Sequence, residues 1–196
     1  MSHYFNFTIV KLILCLSLTA CGATVENNIS RDLISDTYLY AKANEPSHSP
    51  EAFIILSNLA LSEMHINQLI ADYEQETDEE KLFLYEFVLA KRMQDEKYIN
   101  AFIERSSSQI DFLAHNNTDW VSLSNPVYEH LKTYVSYDDR ALATMMELAE
   151  ISDGANLSII GSDLLRQKKN DPARFSKVLD SVGLTADFMQ TLLEED

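Results

Sequence analysis

TDEEKLFLYEFVLAKRMQ, residues 77–94, decides the fold class of this 196-residue chain. Thr77-Asp78-Glu79-Glu80 has the form of a capping box, in which a hydroxyl and a carboxylate each satisfy a backbone amide left free at a helix start. Leu82, Phe83, Tyr85, Phe87, Val88 and Leu89 then supply a wide apolar face. The pattern predicts a long helix ending near Gln94.

The same grammar extends in both directions. Downstream, Asp95 or Glu96 opens a helix carrying Tyr98, Ile99, Phe102 and Ile103. Upstream, a helix from about Glu63 to Glu76 turns Ile66, Leu69, Ile70 and Tyr73 inward, and Ser49-Pro50 starts another that runs to about Leu61, with proline at its first helical position. Ser30 caps a helix to about Ala43, with Leu33, Ile34, Tyr38 and Ala41 on one face. Past the less regular stretch 106–124, where Ile110, Phe112 and Leu113 suggest a short helix, Asn125-Pro126 repeats the cap-plus-proline start. Val127, Leu131, Tyr134 and Val135 share one side of that element. A helix from Asp138 or Asp139 is expected to end at Ser152-Asp153-Gly154, Gly154 being the left-handed terminator. Helices at about 156–169, 171–181 and 185–194 complete the chain, with Gly183 ending the penultimate one.

Four glycines and four prolines in the whole chain, and no alternating strand pattern, make the expectation all-α: about ten helices in antiparallel pairs. A closed irregular bundle and a short curved α-solenoid are both open. HINQLIADY at 65–73 matches YINAFIERS at 98–106, so Ile66, Asn67 and Ile70 return 33 residues later as Ile99, Asn100 and Ile103. A fixed period in the thirties marks stacked helix pairs. The echo resembles a degenerate HEAT or tetratricopeptide array, although the tetratricopeptide Trp, Gly and Ala positions are absent.

Ahead of these helices the chain has a different character. Nine residues, Leu12 to Ala20, separate Lys11 from Cys21, too few apolar positions to span a bilayer, which needs about 20. A basic residue, a short apolar stretch and small residues form the layout of a secretory signal peptide. Leu18-Thr19-Ala20-Cys21 resembles the bacterial lipobox. By that resemblance, residues 1–20 are a cleaved signal, Cys21 is the acylated first residue of the mature protein, residues 21–29 are a tether and residues 30–196 one helical domain. Two or three acyl chains, at about 0.8 kcal/mol per buried methylene, would make the anchoring stable. Gly22, where many Gram-negative systems use Asp for inner-membrane retention, implies the outer membrane, with the domain facing the periplasm. Cys15 leaves with the signal, so no disulfide, thiol nucleophile or thiolate metal site is expected.

The formal net charge is −16. Beyond residue 20 the chain keeps 14 basic and 31 acidic residues, a net charge of −17, which argues against nucleic acid and against adhesion of the domain to anionic head groups. It permits solubility alone or docking of a cationic partner. The densest run, 72–80, places Asp72, Glu74, Glu76, Asp78, Glu79 and Glu80 together. It is not a calcium loop, since Thr77 occupies the glycine position and Phe83 the position of the bidentate acid. A solvated joint or a partner surface is expected there. Trp120, in the polar stretch 115–125, is the other candidate contact, with core packing as its alternative.

Chemistry-bearing patterns are sparse. No Gly-x-Ser-x-Gly or phosphate-cradling glycine loop occurs, and Gly161-Ser162 falls inside a helical pattern. Beyond residue 20 the histidines His48, His65, His115 and His130 never stand four residues apart, and surface or half-buried packing is the expectation for each. No catalytic residue, cofactor or metal is therefore assigned. The expected role is a membrane-anchored, non-enzymatic protein-binding or assembly module, with an immunity or inhibitor protein as one form of it. A cell-wall hydrolase using paired carboxylates is the alternative.

Overall fold

Every regular element among the described residues is helical, as the sequence pattern requires. The computed structural model describes residues 33–38, 49–115, 124–152, 154–184 and 188. The chain divides into two units, Met1–Asp36 and Thr37–Asp196, and a helical stretch at 33–38 crosses the division. Most of the helix expected at 30–43 and nearly all of that at 185–194 lie outside the described residues. Within the second unit the described helices are α1 (Ser49–Asn58), α2 (Glu63–Tyr73), α3 (Glu79–Met93), α4 (Glu96–Ser108), α5 (Ile110–His115), α6 (Ser124–Leu131), α7 (Asp139–Ile151), α8 (Gly154–Asn170) and α9 (Pro172–Val182).

Helix α3 is the decisive segment in space as well as in sequence. Every residue from Phe83 to Ala90 is buried, because α1, α2 and α4 all pack on it. Aromatic rings join these layers. Phe53 of α1 meets Tyr85 edge-to-face at 4.8 Å, and Phe83 stacks on Phe102 of α4 at 5.9 Å. Phe87 also leans on Phe102, at 5.8 Å, while Phe83 reaches Phe112 of α5 at 6.3 Å. Each such pair contributes about 0.5–1.5 kcal/mol beyond the area it buries.

Helix α7 is the second hub. Its Ala141, Leu142, Met145, Met146, Leu148 and Ala149 are buried against α4, α5, α6, α8 and α9. Arg140 at its start donates to the Asn100 Oδ1 of α4 at 2.7 Å, and Ser107 of α4 donates to Glu147 at 3.1 Å. These contacts tie the two hubs together.

The 33-residue echo has a structural counterpart. The N-caps Ser62 and Asp95 stand 33 residues apart, as do Asp138 and Asp171. Helix α1 packs on α3 and α7 on α9, so each meets the helix one pair further along the chain. The period breaks between the hubs, where α5 and α6 intervene.

Three local expectations need correction. The cap of α3 is Asp78 rather than Thr77: the Asp78 carboxylate accepts from the Lys81 amide at 2.9 Å, while the Glu76 carboxylate takes the amides of Thr77 and Asp78 at 2.9 and 3.1 Å. An ionised acceptor beside the positive end of a helix outcompetes a hydroxyl. Gly154 does not terminate α7. That helix ends at Ser152 in an extended conformation, the Ser152 hydroxyl donating to the Leu148 carbonyl at 2.6 Å, and Gly154 begins α8. Both cap-plus-proline starts sit one or two residues deeper than expected: α1 begins at Ser49 and α6 at Ser124, so Ser49 and Asn125 lie inside their helices and Pro50 and Pro126 in the first turns, where the missing amide hydrogen costs nothing. Gly183 does end α9 in the left-handed region, at φ 73°, and Gln94 takes the same conformation after α3, at φ 54°.

Candidate functional site

The acidic run forms the joint between α2 and α3, and local bonds lock most of it. Asp72 accepts from the Tyr38 hydroxyl and, at 3.3 Å, from Gln68. Burial, and then the neighbouring Glu76, raise the Asp72 pKa. Glu76 and Asp78 hold the α3 start as described, and Glu79 pairs with Arg105 of α4. Glu74, Asp78, Glu79 and Glu80 are exposed. The six acids thus share one joint, an acidic ridge in which the bonds just named set the positions of Asp72, Glu76, Asp78 and Glu79. Trp120 and Cys21 lie outside the described residues.

Behind this ridge sits a charge that periodicity did not single out. Glu86 is fully buried in α3, accepting from Arg105 Nε at 2.8 Å and from the Tyr73 hydroxyl at 3.1 Å. Burial and the Glu86 carboxylate push the Tyr73 phenol up to about 12, so it stays a donor. A second buried carboxylate, Asp163 of α8, receives the Tyr128 hydroxyl, Lys132 at 2.9 Å and Arg166. Burial alone would raise its pKa, but the Tyr128 bond and the two cations outweigh it and hold Asp163 below the ordinary carboxylate range. Both carboxylates serve as internal ties between helices.

A groove of about 810 Å³ opens elsewhere, between the end of α3, the outer face of α4 and the segment 130–138. Its floor is His130, whose ring packs on Phe102 at 5.2 Å, on Phe87 at 6.0 Å and edge-to-face on Tyr134 at 5.2 Å. The Tyr134 hydroxyl lies 3.2 Å from His130 Nε2. Burial, reinforced by Lys91, lowers the His130 pKa to about 4, so the imidazole is neutral at pH 7. Lys91 is drawn toward α1, donating to Asn58 at 3.0 Å and Ser57 at 3.4 Å, and burial lowers its pKa as well. On the opposite rim, Asp138 caps α7 and is bound by the Arg140 guanidinium, which holds its pKa down. Ile99, Asn100 and Ile103 line the α4 side, and Thr133 and the 70% exposed Tyr137 line the other.

Among the described residues no group of three His, Cys, Asp or Glu side chains converges on a possible metal position, and no helix is long and apolar enough to cross a membrane. The Ser162 hydroxyl is turned to the Ile159 carbonyl of its own helix, at 3.0 Å on an exposed face. His65 is half-buried at the start of α2, where it completes the capping box, its Nδ1 lying 3.4 Å from the Ser62 amide and 2.9 Å from the Ser62 hydroxyl. The groove was missed in sequence because its walls come from three segments. Its one local signal is the spacing of His130, Tyr134 and Tyr137, which repeats one side of a helical path.

The chain matches no protein-family model, no curated protein and no solved structure.

The groove floor has a measurable consequence. The folded protein keeps His130 neutral down to about pH 4, while the unfolded chain takes up a proton near the ordinary value of 6.5, so acidification through this window favours unfolding. His130→Gln removes that uptake. Between pH 7 and 4 the wild type should lose about 2–3 kcal/mol more unfolding free energy than the variant, read from urea titrations at each pH. Parallel pH profiles would contradict the buried neutral imidazole.

Proposed function

We propose that this protein is a membrane-anchored lipoprotein of the bacterial outer membrane, held by the lipid on Cys21, whose periplasmic helical domain acts as a non-enzymatic protein-binding or assembly module. Its partner is a cationic protein. An immunity or inhibitor protein that masks a basic toxin is one form of that role.

The observation that carries this reading is the ordered acidic ridge at the α2–α3 joint. Carboxylates held by backbone amides and by Arg105 present a fixed negative surface, and a partner meeting fixed groups loses less side-chain entropy on binding. The net charge of −16 extends that field and steers a basic partner toward the domain. Glu74 and Glu80 are exposed; Glu74 caps the end of α2 through its backbone alone and Glu80 stands in the first turn of α3 without being its cap, so reversing their side chains tests the surface while the capping bonds stay in place.

Full-length chain purified in detergent should capture a basic partner in stoichiometric amount from a membrane extract. Capture should fall about tenfold with E74K/E80K and weaken steeply with added salt, while Glu150→Lys, an exposed reversal of the same charge on α7, should retain it. No stoichiometric partner, or equal capture by E74K/E80K, would overturn the proposal.

A further inference from the structure

We infer that the groove between α4 and the 130–138 segment is a binding site for a neutral oligosaccharide, with a sugar ring seated on Tyr137. This site is separate from the acidic ridge and does not depend on the partner role.

Charge balance narrows the ligand class first. The chain as a whole carries a net charge of −16, yet around the groove Asp138 is matched by Arg140, and Glu96 stands on the same lining as Lys91. An anionic ligand meets the negative field of the whole molecule, and a cationic one finds no surplus of carboxylates here. The neutral imidazole of His130 adds no charge to the floor. A neutral polar ligand loses least on entry.

The lining then selects among neutral ligands. Tyr137 stands edge-to-face with Tyr134 at 6.1 Å and remains 70% exposed, so a large aromatic surface is displayed where nothing in the fold requires it. The apolar C–H face of a sugar ring packs on such a surface, while the ring hydroxyls need neighbouring donors and acceptors. Asn100, whose Nδ2 donates to the Glu96 carbonyl at 2.8 Å, keeps its second N–H for a ligand, Thr133, whose hydroxyl donates to the His130 carbonyl at 2.7 Å, keeps an acceptor oxygen, and Gln94, at a left-handed position past the end of α3, adds a second amide. The half-buried Ile99 offers apolar wall for a methyl or methylene substituent. The volume lies within the range of small-ligand clefts, about 300–1,000 Å³. Asn100 is itself held by Arg140, so one hydrogen-bonding group is oriented before any ligand arrives.

The test is isothermal titration of full-length chain in detergent with two neutral probes, the β-1,4-linked N-acetylglucosamine tetramer and the α-1,4-linked glucose tetramer. Saturable one-to-one binding of at least one is expected, and the stronger arm assigns an N-acetylated or an unsubstituted glycan. Tyr137→Ala should weaken binding about tenfold while the melting temperature falls only slightly, since the exposed ring gives up one edge-to-face contact with Tyr134, and Tyr137→Phe should bind within about threefold of wild type. Asn100→Ala should also weaken it. Absence of saturable binding by both tetramers at millimolar concentration overturns the inference. So does equal binding by the Tyr137→Ala protein.

Discussion

Arg105→Ala is expected to lower the unfolding free energy by about 3–5 kcal/mol and the melting temperature by about 10 °C. The substitution deletes little buried volume, because Arg105 is itself partly exposed, its side chain 24% accessible. Its weight comes from the residue it leaves behind. Glu86, with a side chain only 1% accessible, would keep the Tyr73 hydroxyl at 3.1 Å as a hydrogen bond but lose its counter-charge in the middle of α3. A carboxylate stranded in that position costs far more than the surface pair between Arg105 and Glu79, a type of contact worth about 0–1 kcal/mol. Helix α3 is the hub for α1, α2 and α4, so the loss should appear as cooperative destabilisation of that whole half. Replacing both partners by leucine should restore most of the stability, since two apolar groups of similar volume demand no counter-charge. Urea unfolding of the three proteins measures this. A single variant within about 1 kcal/mol of wild type, or a double variant as unstable as the single, would contradict an uncompensated buried charge.

The two carboxylate ties also show where sequence reading stops. The apolar residues of 77–94 and the acidic starts at 95, 138 and 171 are legible because each acts through neighbours within one or two helical turns. Glu86 looks like a solvated position inside an apolar pattern. Its partners are 13 residues before it and 19 after it, and only the packing of α2 and α4 on α3 brings them together. Asp163 is similar, since Tyr128 lies 35 residues away on another helix. Gly154 was read as a terminator because glycine is compatible both with ending a helix and with an ordinary helical start, and Ser152 had already ended α7 by extending. The acidic ridge was legible as a charge run, but its order was not, since that depends on which oxygen meets which amide. His130 was read as a packing residue, which its rings bear out. That the same ring floors a groove follows only from the meeting of α4 with 130–138.

Cys21→Ser is expected to abolish lipid attachment completely and to leave the precursor uncleaved. If Leu18-Thr19-Ala20-Cys21 is the lipobox proposed above, the Cys21 thiol is the acyl acceptor, and since acylation precedes cleavage in lipobox proteins, a hydroxyl at position 21 halts both steps. The effect is all-or-none, unlike the graded losses at Tyr137 or at the ridge. It also separates address from fold, because residue 21 lies ahead of every helix in the core and the variant domain should unfold at the wild-type temperature. An acylated cysteine holding an acidic helical array at a membrane is the premise of the proposed role, and metabolic labelling with palmitate tests it most directly. The wild-type chain should take up label, shorten by its first 20 residues and sediment with the outer membrane, whereas Cys21→Ser should stay unlabelled at precursor length. A Cys21→Ser chain processed normally to a soluble product, or a wild-type chain that takes up no label, would contradict the anchored lipoprotein.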